Sequence, residues 1–369
     1  MSIGGAEKYL FDLTDALLAQ DYEVDIITYQ IALEAPPQLA NNVVNVQNIL
    51  GLVSYCIKNR NRFYLTAYGE ADLFAASILT RLKYSLVMHQ PTLMTFKPDI
   101  KQTFLFRKKF QKHLTRTQWI MLNQEYSQYG IIRKIKHEFS ALLKFYSAKN
   151  AAHRIVWSDY AVNEKIRFMG LVCTKIIGAF FKAELNECLK NIKELKKYDC
   201  VVVARLDKNK RLIETINGYA EAKKLQPEIS NLIIIGDGPQ KEDLKSLVLK
   251  LKLENHVTFM GFISRDEVNQ FMTEARILIA LDWADFRLTM FEALIRGCRV
   301  IVSKDAEIDE VLLRNHLVSK THLDPKLIAK KIKKFYELPT VTTNNLPINF
   351  FEKHSWECYV EKLVGMLAK

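Results

Sequence analysis

The sequence lacks long apolar runs. No stretch of its 369 residues reaches the roughly 18 to 20 apolar positions that a membrane-spanning helix needs. The N-terminus also shows no basic region followed by an apolar core, the pattern of a signal peptide. We therefore expect a cytoplasmic protein without a signal peptide or a membrane anchor.

Cysteines are few and dispersed. The six of them form no Cys-x-x-Cys pair, which argues against zinc ribbons and disulfide frameworks and fits a reducing compartment. The sequence also contains no Asp-x-Asp and no histidine cluster with ligand spacing. It therefore predicts no metal site.

Acidic residues are scarce between positions 97 and 149. This segment has 12 Lys/Arg and 3 Asp/Glu, so a charge of +9 out of the total of +12 lies there. Its apolar and basic positions fall on opposite faces of a helix: Phe106, Phe110, Leu114, Thr117 and Met121 against Lys108, Lys109, Lys112 and Arg116.

Two interpretations of that basic segment stay open. One is an amphipathic helix with its apolar face in a domain core, and the other is contact of residues 101–149 with an anionic membrane surface. Nucleic acid is not an expected partner, because no nucleic-acid-binding motif accompanies the charge.

What the sequence does contain is a regular alternation of strand and helix patterns. Short apolar runs at 201–203, 232–235, 257–259, 277–280 and 300–302 are typical of strands buried on both faces. Helical spacing separates them, and Ser264 to Glu267 has the pattern of a capping box. The alternation predicts an α/β protein with a doubly wound parallel sheet.

The same alternation marks the domains. A helical stripe and a strand occupy the first 30 residues, but only residues 1–5 precede that helix. We therefore expect the first strand of this domain to be missing from the sequence. A segment rich in Lys, Glu and Asn at 182–198 separates the two β-α regions. We predict domains at 1–185 and 186–350, followed by a C-terminal helical region at 351–369.

Candidate binding residues follow the predicted strands. Arg205 and Lys210 come directly after the run at 201–203, where two cations would suit a diphosphate, although a solvated basic loop has the same composition. Gly236 and Gly238 follow the next strand, as a phosphate-approaching loop or a purely structural turn. Glu292, on a helical segment, is suited to the hydroxyls of a ribose.

Taken in order, these motifs resemble the GT-B retaining glycosyltransferases of family 4. The matching segments are 4–7, 22–24, 205–207 with Lys210, 236–239, 257–261 and 291–294 with Gly297. The helix that begins at Ser355-Trp356 is similar to the family's C-terminal element, which crosses back to the N-terminal domain.

The resemblance implies two Rossmann-like domains facing a cleft, with the acceptor bound by the N-terminal domain and a nucleotide sugar by the C-terminal domain. It gives Arg205 and Lys210 the role of neutralising the donor diphosphate and His89 that of contacting the donor sugar. The implied donor-binding residues are Gly4, Gly5, Gly236, Gly238, Phe262, Asp285, Phe286, Arg287, Leu288 and Glu292.

The resemblance also implies the reaction. A hexose would be transferred with retention of configuration, without a metal, as the departing diphosphate takes the acceptor proton. GDP-mannose is the first expectation for the donor, with UDP-glucose and UDP-N-acetylglucosamine left open. The expected acceptor is a glycan or a lipid-linked molecule at the cytoplasmic face of a membrane.

Two positions depart from the family pattern. Ala284 stands where the first of two paired glutamates is expected, and Arg287 replaces a glycine. Asp282 or Asp285 is a candidate substitute for the missing carboxylate. The alternative function is that of a weak or inactive GT-B protein that binds nucleotide sugars as a partner or scaffold.

An Ala284→Glu variant tests whether this position lacks a functional carboxylate. The new side chain is expected to accept a hydrogen bond from the donor sugar and thus to raise donor affinity or turnover. Donor binding and product formation, each compared with the parent, check this. Lower affinity or lower turnover would count against a vacant carboxylate role.

Overall fold

The computed structural model describes most of the chain, and it divides into two compact units. The described residues are 5–28, 36–66, 70–88, 143, 146–159, 161–163, 166, 170–192, 196–282 and 287–368. The N-terminal unit comprises Met1–Gly178 and Trp356–Lys369, and the C-terminal unit comprises Ala179–Ser355.

This division corrects the domain boundaries expected from the sequence. Residues 179–185 belong to the C-terminal unit rather than to the first domain, because Phe180 and Leu185 lie in its apolar core. Residues 351–355 also stay in the C-terminal unit, where Phe351 is fully buried in the same core.

The described part of the N-terminal unit contains two parallel sheets. Its elements are α1 (Gly5–Leu18), β1 (Ile26–Thr28), β2 (Val43–Asn45), α2 (Ile49–Lys58), β3 (Tyr64–Thr66), α3 (Glu70–Thr80), β4 (Tyr84–Val87), β5 (His153–Val156) and β6 (Thr174–Lys175). Strands β1 and β2 pair with each other, and β3 to β6 form a second sheet in sequence order. All of these pairings are parallel.

The C-terminal unit is built on one six-stranded sheet. Its elements are α4 (Lys182–Lys190), β7 (Tyr198–Val203), α5 (Leu212–Leu225), β8 (Leu232–Ile235), α6 (Lys241–Lys250), β9 (Val257–Gly261), α7 (Arg265–Glu274), β10 (Ala275–Ala280), α8 (Leu288–Ile295), β11 (Arg299–Ser303), α9 (Glu310–Arg314), β12 (Val318–Thr321), α10 (Pro325–Glu337) and α11 (Ile348–Glu352).

The strand order in this sheet is β12-β11-β10-β7-β8-β9, with every pairing parallel. Read from β9, the strands thus follow the chain order third, second, first, fourth, fifth, sixth, which is the order of dinucleotide-binding domains. The doubly wound parallel sheet predicted from the sequence is confirmed in this unit.

Burial on both faces explains why these runs form strands. Cys200 and Val202 lie in one apolar core, and Val201, between them, lies in the other. Alternate side chains of a strand point to opposite faces, so helices must cover both sides of the sheet. The capping box at Ser264 is also present and begins α7.

The C-terminal helix α12 (Trp356–Leu367) belongs to the N-terminal unit, where it packs against α1. The Tyr9 and Tyr359 hydroxyls are hydrogen-bonded, and the Tyr9 ring lies 5.2 Å from that of Trp356 and 5.0 Å from that of Trp157. Tyr9, Trp356 and Tyr359 are almost fully buried. Among the described helices, none is long and apolar enough to span a bilayer.

Gly178→Ala tests this packing. An added Cβ would lie 2.4 Å from Cε3 of the buried Trp356 ring, so we expect the N-terminal unit to lose about 1–3 kcal/mol of unfolding free energy. Urea unfolding followed by tryptophan fluorescence measures the loss.

Gly365→Ala is the matched control for this change. It adds a methyl group to α12 at a position where, among the described residues, no atom outside the helix's own backbone lies within 4 Å of the new Cβ. It should stabilise the helix by up to about 1 kcal/mol. A Gly178→Ala protein as stable as the parent would contradict the close packing.

Candidate active site

The candidate site lies where the sheet of the C-terminal unit changes direction. Strands β7 and β10 are neighbours, but the chain continues from β7 toward one edge of the sheet and from β10 toward the other. Parallel sheets bind ligands outside the carboxyl ends of their strands at such a switch point. We call the group Arg205, Lys210, Arg211, Asp282 and Arg287 the switch-point site.

A short turn after β7 positions Lys210. The Asp207 carboxylate accepts a 3.0 Å hydrogen bond from the Asn209 N–H and caps the 3₁₀ turn Lys208–Lys210. The Lys210 ammonium lies 2.8 Å from Oδ2 of Asp282, directly beyond β10. The other predicted diphosphate ligand, Arg205, is 73% exposed and lies 3.9 Å from the Asp207 carboxylate.

Arg287 joins the same site through its side chain. Its Nε lies 3.2 Å from Oδ1 of Asp282, and its Nη2 donates to the Asp282 main-chain carbonyl. The side chain is buried, and its Nη1 has no hydrogen-bond partner among the described residues. The sequence indicated Arg287 as a donor-binding residue that replaces a glycine, and the structure places its guanidinium on Asp282.

Asp282 is therefore held between two cations. Burial raises the pKa of its carboxyl, but Arg287 and Lys210 outweigh burial, and the pKa lies below its ordinary value. The group is a carboxylate at neutral pH. Its oxygens contact Lys210 and Arg287, a different role from the sugar contact suggested by the sequence.

Arg211 is a member of the site that sequence reasoning missed. It has a left-handed backbone (φ 55°) between the turn and α5, and its buried guanidinium donates to the Leu281 carbonyl at 3.0 Å. Its Nη2 lies 3.7 Å from the Asp305 carboxylate. Burial lowers the pKa of this guanidinium, against the opposing effect of Asp305. The basic run at 208–211 was the signal available, but nothing in it indicates burial.

Charged groups are concentrated in this region. Lys210, Arg211 and Arg287 carry three positive charges, and the carboxylates near them are Asp282, Asp305 and the partly buried Glu214, which interacts with Arg211. Helix α8, which begins directly after Arg287, has no acidic residue in its first turn. The partly exposed Lys210 ammonium and the helix N-terminus both favour an anion at this position.

Glu292 lies on α8 and is buried. Its Oε1 is 2.8 Å from Nη2 of Arg265, the first residue of α7. The structure thus gives the predicted ribose ligand a cationic neighbour. The sequence did not indicate that pair, since 27 residues separate its members.

Gly236 and Gly238 bring the loop after β8 against the loop after β7. A Cβ at Gly236, whose φ is 128°, would lie 2.0 Å from the Ala204 carbonyl oxygen, and one at Gly238 would lie 2.5 Å from that of Leu206. Close packing therefore requires glycine at both positions. Close packing alone thus explains both glycines, and their contact with a donor phosphate stays a prediction.

The remaining predicted site residues fall into two groups. Phe262 follows β9 with 68% of its surface exposed, Leu288 is the first residue of α8, and Gly5 begins α1 in the N-terminal unit. His89, Gly4, Asp285 and Phe286 lie outside the described residues, as do most of residues 101–149. Within the described ranges, no three His, Cys, Asp or Glu side chains are grouped to hold a metal ion.

Residues 188–349 match the sequence profile of the family Glycosyl transferases group 1. An alpha-monoglucosyldiacylglycerol synthase of Acholeplasma laidlawii is 31% identical over 110 residues, which are 30% of this chain and 27% of the synthase. The chain thus matches little more than a quarter of that relative's length.

Solved structures resemble the whole chain. HepE of Anabaena, in complex with UDP and glucose, gives a TM-score of 0.66 at 16% identity, over 100% of this chain and 97% of HepE. A sucrose-phosphate synthase of Thermosynechococcus elongatus gives 0.68 at 17% identity, over 99% and 93% of the two chains. The chain therefore contains a glycosyl transferases group 1 domain, and its two units have the GT-B fold.

Proposed function

We propose that the protein is a retaining glycosyltransferase that moves a hexose from a nucleotide sugar to a lipid or glycan acceptor. The observation that carries the proposal is the group of three cations at the switch point, Lys210, Arg211 and Arg287, next to the N-terminus of α8. It lies inside the region that matches the family profile.

The donor diphosphate is the anion that suits this site best. In this proposal Lys210 and the N-terminus of α8 bind the phosphates. The exposed Arg205 contacts the phosphates from the loop after β7. Charge that develops on a departing diphosphate is stabilised by cations already in place, which lowers the barrier of the transfer. The diphosphate then takes the acceptor proton, with no metal in the proposed reaction.

We expect the nucleoside of the donor to bind next to the phosphates, between the end of β9 and Glu292. The exposed ring of Phe262 and the backbone at Gly261, whose φ is 67°, offer a flat surface for a base at the end of β9. Glu292, held by Arg265 on the neighbouring helix, is the proposed ligand of the ribose hydroxyls.

UDP-glucose is the proposed donor. It is supported by the likeness to a monoglucosyldiacylglycerol synthase and to HepE solved with UDP and glucose. GDP-mannose, the first expectation from the family resemblance, stays a prediction. The same synthase supports a membrane lipid as acceptor, bound by the N-terminal unit.

A second candidate function is that of a weak or inactive nucleotide-sugar-binding protein. It is favoured by Ala284 and by Arg287, whose guanidinium is turned onto Asp282 where the family has glycine. Nucleotide-sugar binding without product formation, across donors and acceptors, would distinguish it from the transferase.

A panel of nucleotide sugars tests the donor proposal by thermal shift. UDP-glucose is expected to raise the melting temperature of the parent more than UDP-N-acetylglucosamine or GDP-mannose does, because a ligand that binds the folded state stabilises it.

Lys210→Met should weaken UDP binding, measured by calorimetry, about tenfold or more, since it removes a charge-assisted hydrogen bond.

Lys208→Met is the matched control, as it makes the same change at an exposed side chain of the same turn. Its UDP affinity should stay within about twofold of the parent's, because Lys208 has no place in the proposed site. No stabilisation by any of the three nucleotide sugars, or equal losses in both variants, would contradict the proposed site.

Sedimentation with liposomes tests the membrane proposal. The full chain should bind vesicles that contain an anionic lipid and not neutral ones. Glutamine at Lys108, Lys109 and Lys112 should weaken that binding, because each basic residue near an anionic surface contributes about 1 kcal/mol.

Glutamine at three exposed lysines of α10, Lys326, Lys330 and Lys334, lowers the net charge equally and is the control. Equal, negligible binding of the parent to both kinds of vesicle would refute membrane contact. Equal losses in the two triple variants would refute the assignment to residues 101–149.

A further inference from the structure

The two cations assigned to the donor diphosphate each lie beside an aspartate of the same unit. Arg205 is 3.9 Å from Asp207, a long distance for an exposed pair, whereas Lys210 is 2.8 Å from Asp282. Only the second pair combines direct contact with partial burial. A phosphate that binds the Lys210 ammonium must therefore share it with a carboxylate or displace it.

Asp282 is the fixed member of that pair. Its side chain is 15% exposed, and Arg287 holds its Oδ1 at 3.2 Å. Its main-chain carbonyl also accepts hydrogen bonds from Arg287 Nη2 and, at 3.3 Å, from the Ser303 hydroxyl. The aspartate is thus held at its carboxylate and at its backbone.

Lys210 is the member that can move. Its side chain is 36% exposed, and a lysine ammonium ends a flexible four-carbon stem. Asp282 is the hydrogen-bond partner that the structure gives to this ammonium. A rotation of the stem takes the ammonium from the carboxylate toward an anion at the N-terminus of α8, while Asp282 stays with Arg287.

We propose that Asp282 is an internal counter-ion for Lys210 that competes with the donor diphosphate, so that Lys210 passes between carboxylate and phosphate in every catalytic cycle. The inference rests on the proposed function, because it needs a diphosphate at Lys210. The carboxylate lowers affinity for the nucleoside diphosphate product and speeds its release. This charge competition goes beyond the neutralising role of Lys210.

The opposite role for Asp282 is that of a scaffold that keeps Lys210 and Arg287 in place for the phosphates. The two roles predict opposite effects of Asp282→Asn. Asparagine keeps the shape and an oxygen acceptor for Arg287 but removes the charge that holds Lys210. Competition predicts tighter binding of a diphosphate, and scaffolding predicts weaker binding.

The experiment measures UDP and GDP binding to the full chain by calorimetry and their dissociation rates by stopped flow. With Asp282→Asn we expect the dissociation constant to fall about three- to tenfold, mostly through slower dissociation. Asp243→Asn is the matched control, because it removes one negative charge from an exposed position of α6 in the same unit, outside the switch-point site. It should change affinity less than about twofold.

A second pair of variants separates competition for Lys210 from a general charge effect. In a Lys210→Met background, Asp282→Asn should change the UDP dissociation constant by less than about twofold, because the contested ammonium is gone. Circular dichroism and thermal melts show that each variant is folded. If Asp282→Asn does not fold, Lys210→Arg is measured instead. The arginine guanidinium is wider than the lysine ammonium and can contact the carboxylate and the phosphate together. The Lys210→Arg variant should therefore bind UDP more tightly than the parent does.

The outcomes are distinguishable. If neither UDP nor GDP binds the parent, the proposed function fails and this inference fails with it. If the parent binds but Asp282→Asn binds equally or more weakly, the inference alone is overturned. The same holds if Asp243→Asn tightens binding as much, or if the effect of Asp282→Asn persists in full without Lys210.

Discussion

The pairing of β10 with β7 is the contact on which the candidate site depends. These strands start 77 residues apart in the chain, and their parallel register sets Ile277 against Cys200 and Leu278 against Val201. With the strands aligned, the residues that follow them meet at one edge of the sheet. Asp282 thus reaches Lys210 across 72 residues of sequence. The apolar packing of both sheet faces stabilises this register, so the polar site is positioned by a core with which it shares no residue.

Much of this architecture could be predicted from the sequence, because each strand that is buried on both faces corresponds to a continuous apolar run. The five predicted runs of the C-terminal unit all lie within β7 to β11. The sixth strand, β12, was not predicted because three of its four residues, Val-Ser-Lys-Thr, are polar. An edge strand with two partly exposed central residues allows this composition. The boundary near residue 180 was placed too late, since a charged helix, α4, hid the apolar contribution of Phe180 and Leu185.

The site was predicted less completely than the fold, for a physical reason. Residue types and their positions after strands indicated Lys210 and Glu292 as candidates, but their partners Asp282 and Arg265 are 72 and 27 residues away. Local pattern carries no information on such pairs. Arg211 was missed for the same reason. A lysine-rich loop predicts solvent-exposed side chains, and the sequence does not reveal the left-handed backbone at Arg211 that directs this side chain inward. The sequence identified Gly236 and Gly238 but did not reveal that they allow two loops to pack closely, because the contacting residues belong to the loop after another strand.

The packing of α12 against α1 has a consequence for how the chain is made. Tyr9 is buried near the start of the sequence by Trp356 and Tyr359, which the ribosome adds only after the whole C-terminal unit. Domains usually fold in the order of their synthesis. Here the first unit cannot complete its core until the second has emerged, so the C-terminal unit can be complete while α1 still lacks its partner helix. An apolar surface around Tyr9 is therefore exposed during synthesis. The nascent protein can aggregate through this surface, which is buried once folding is complete.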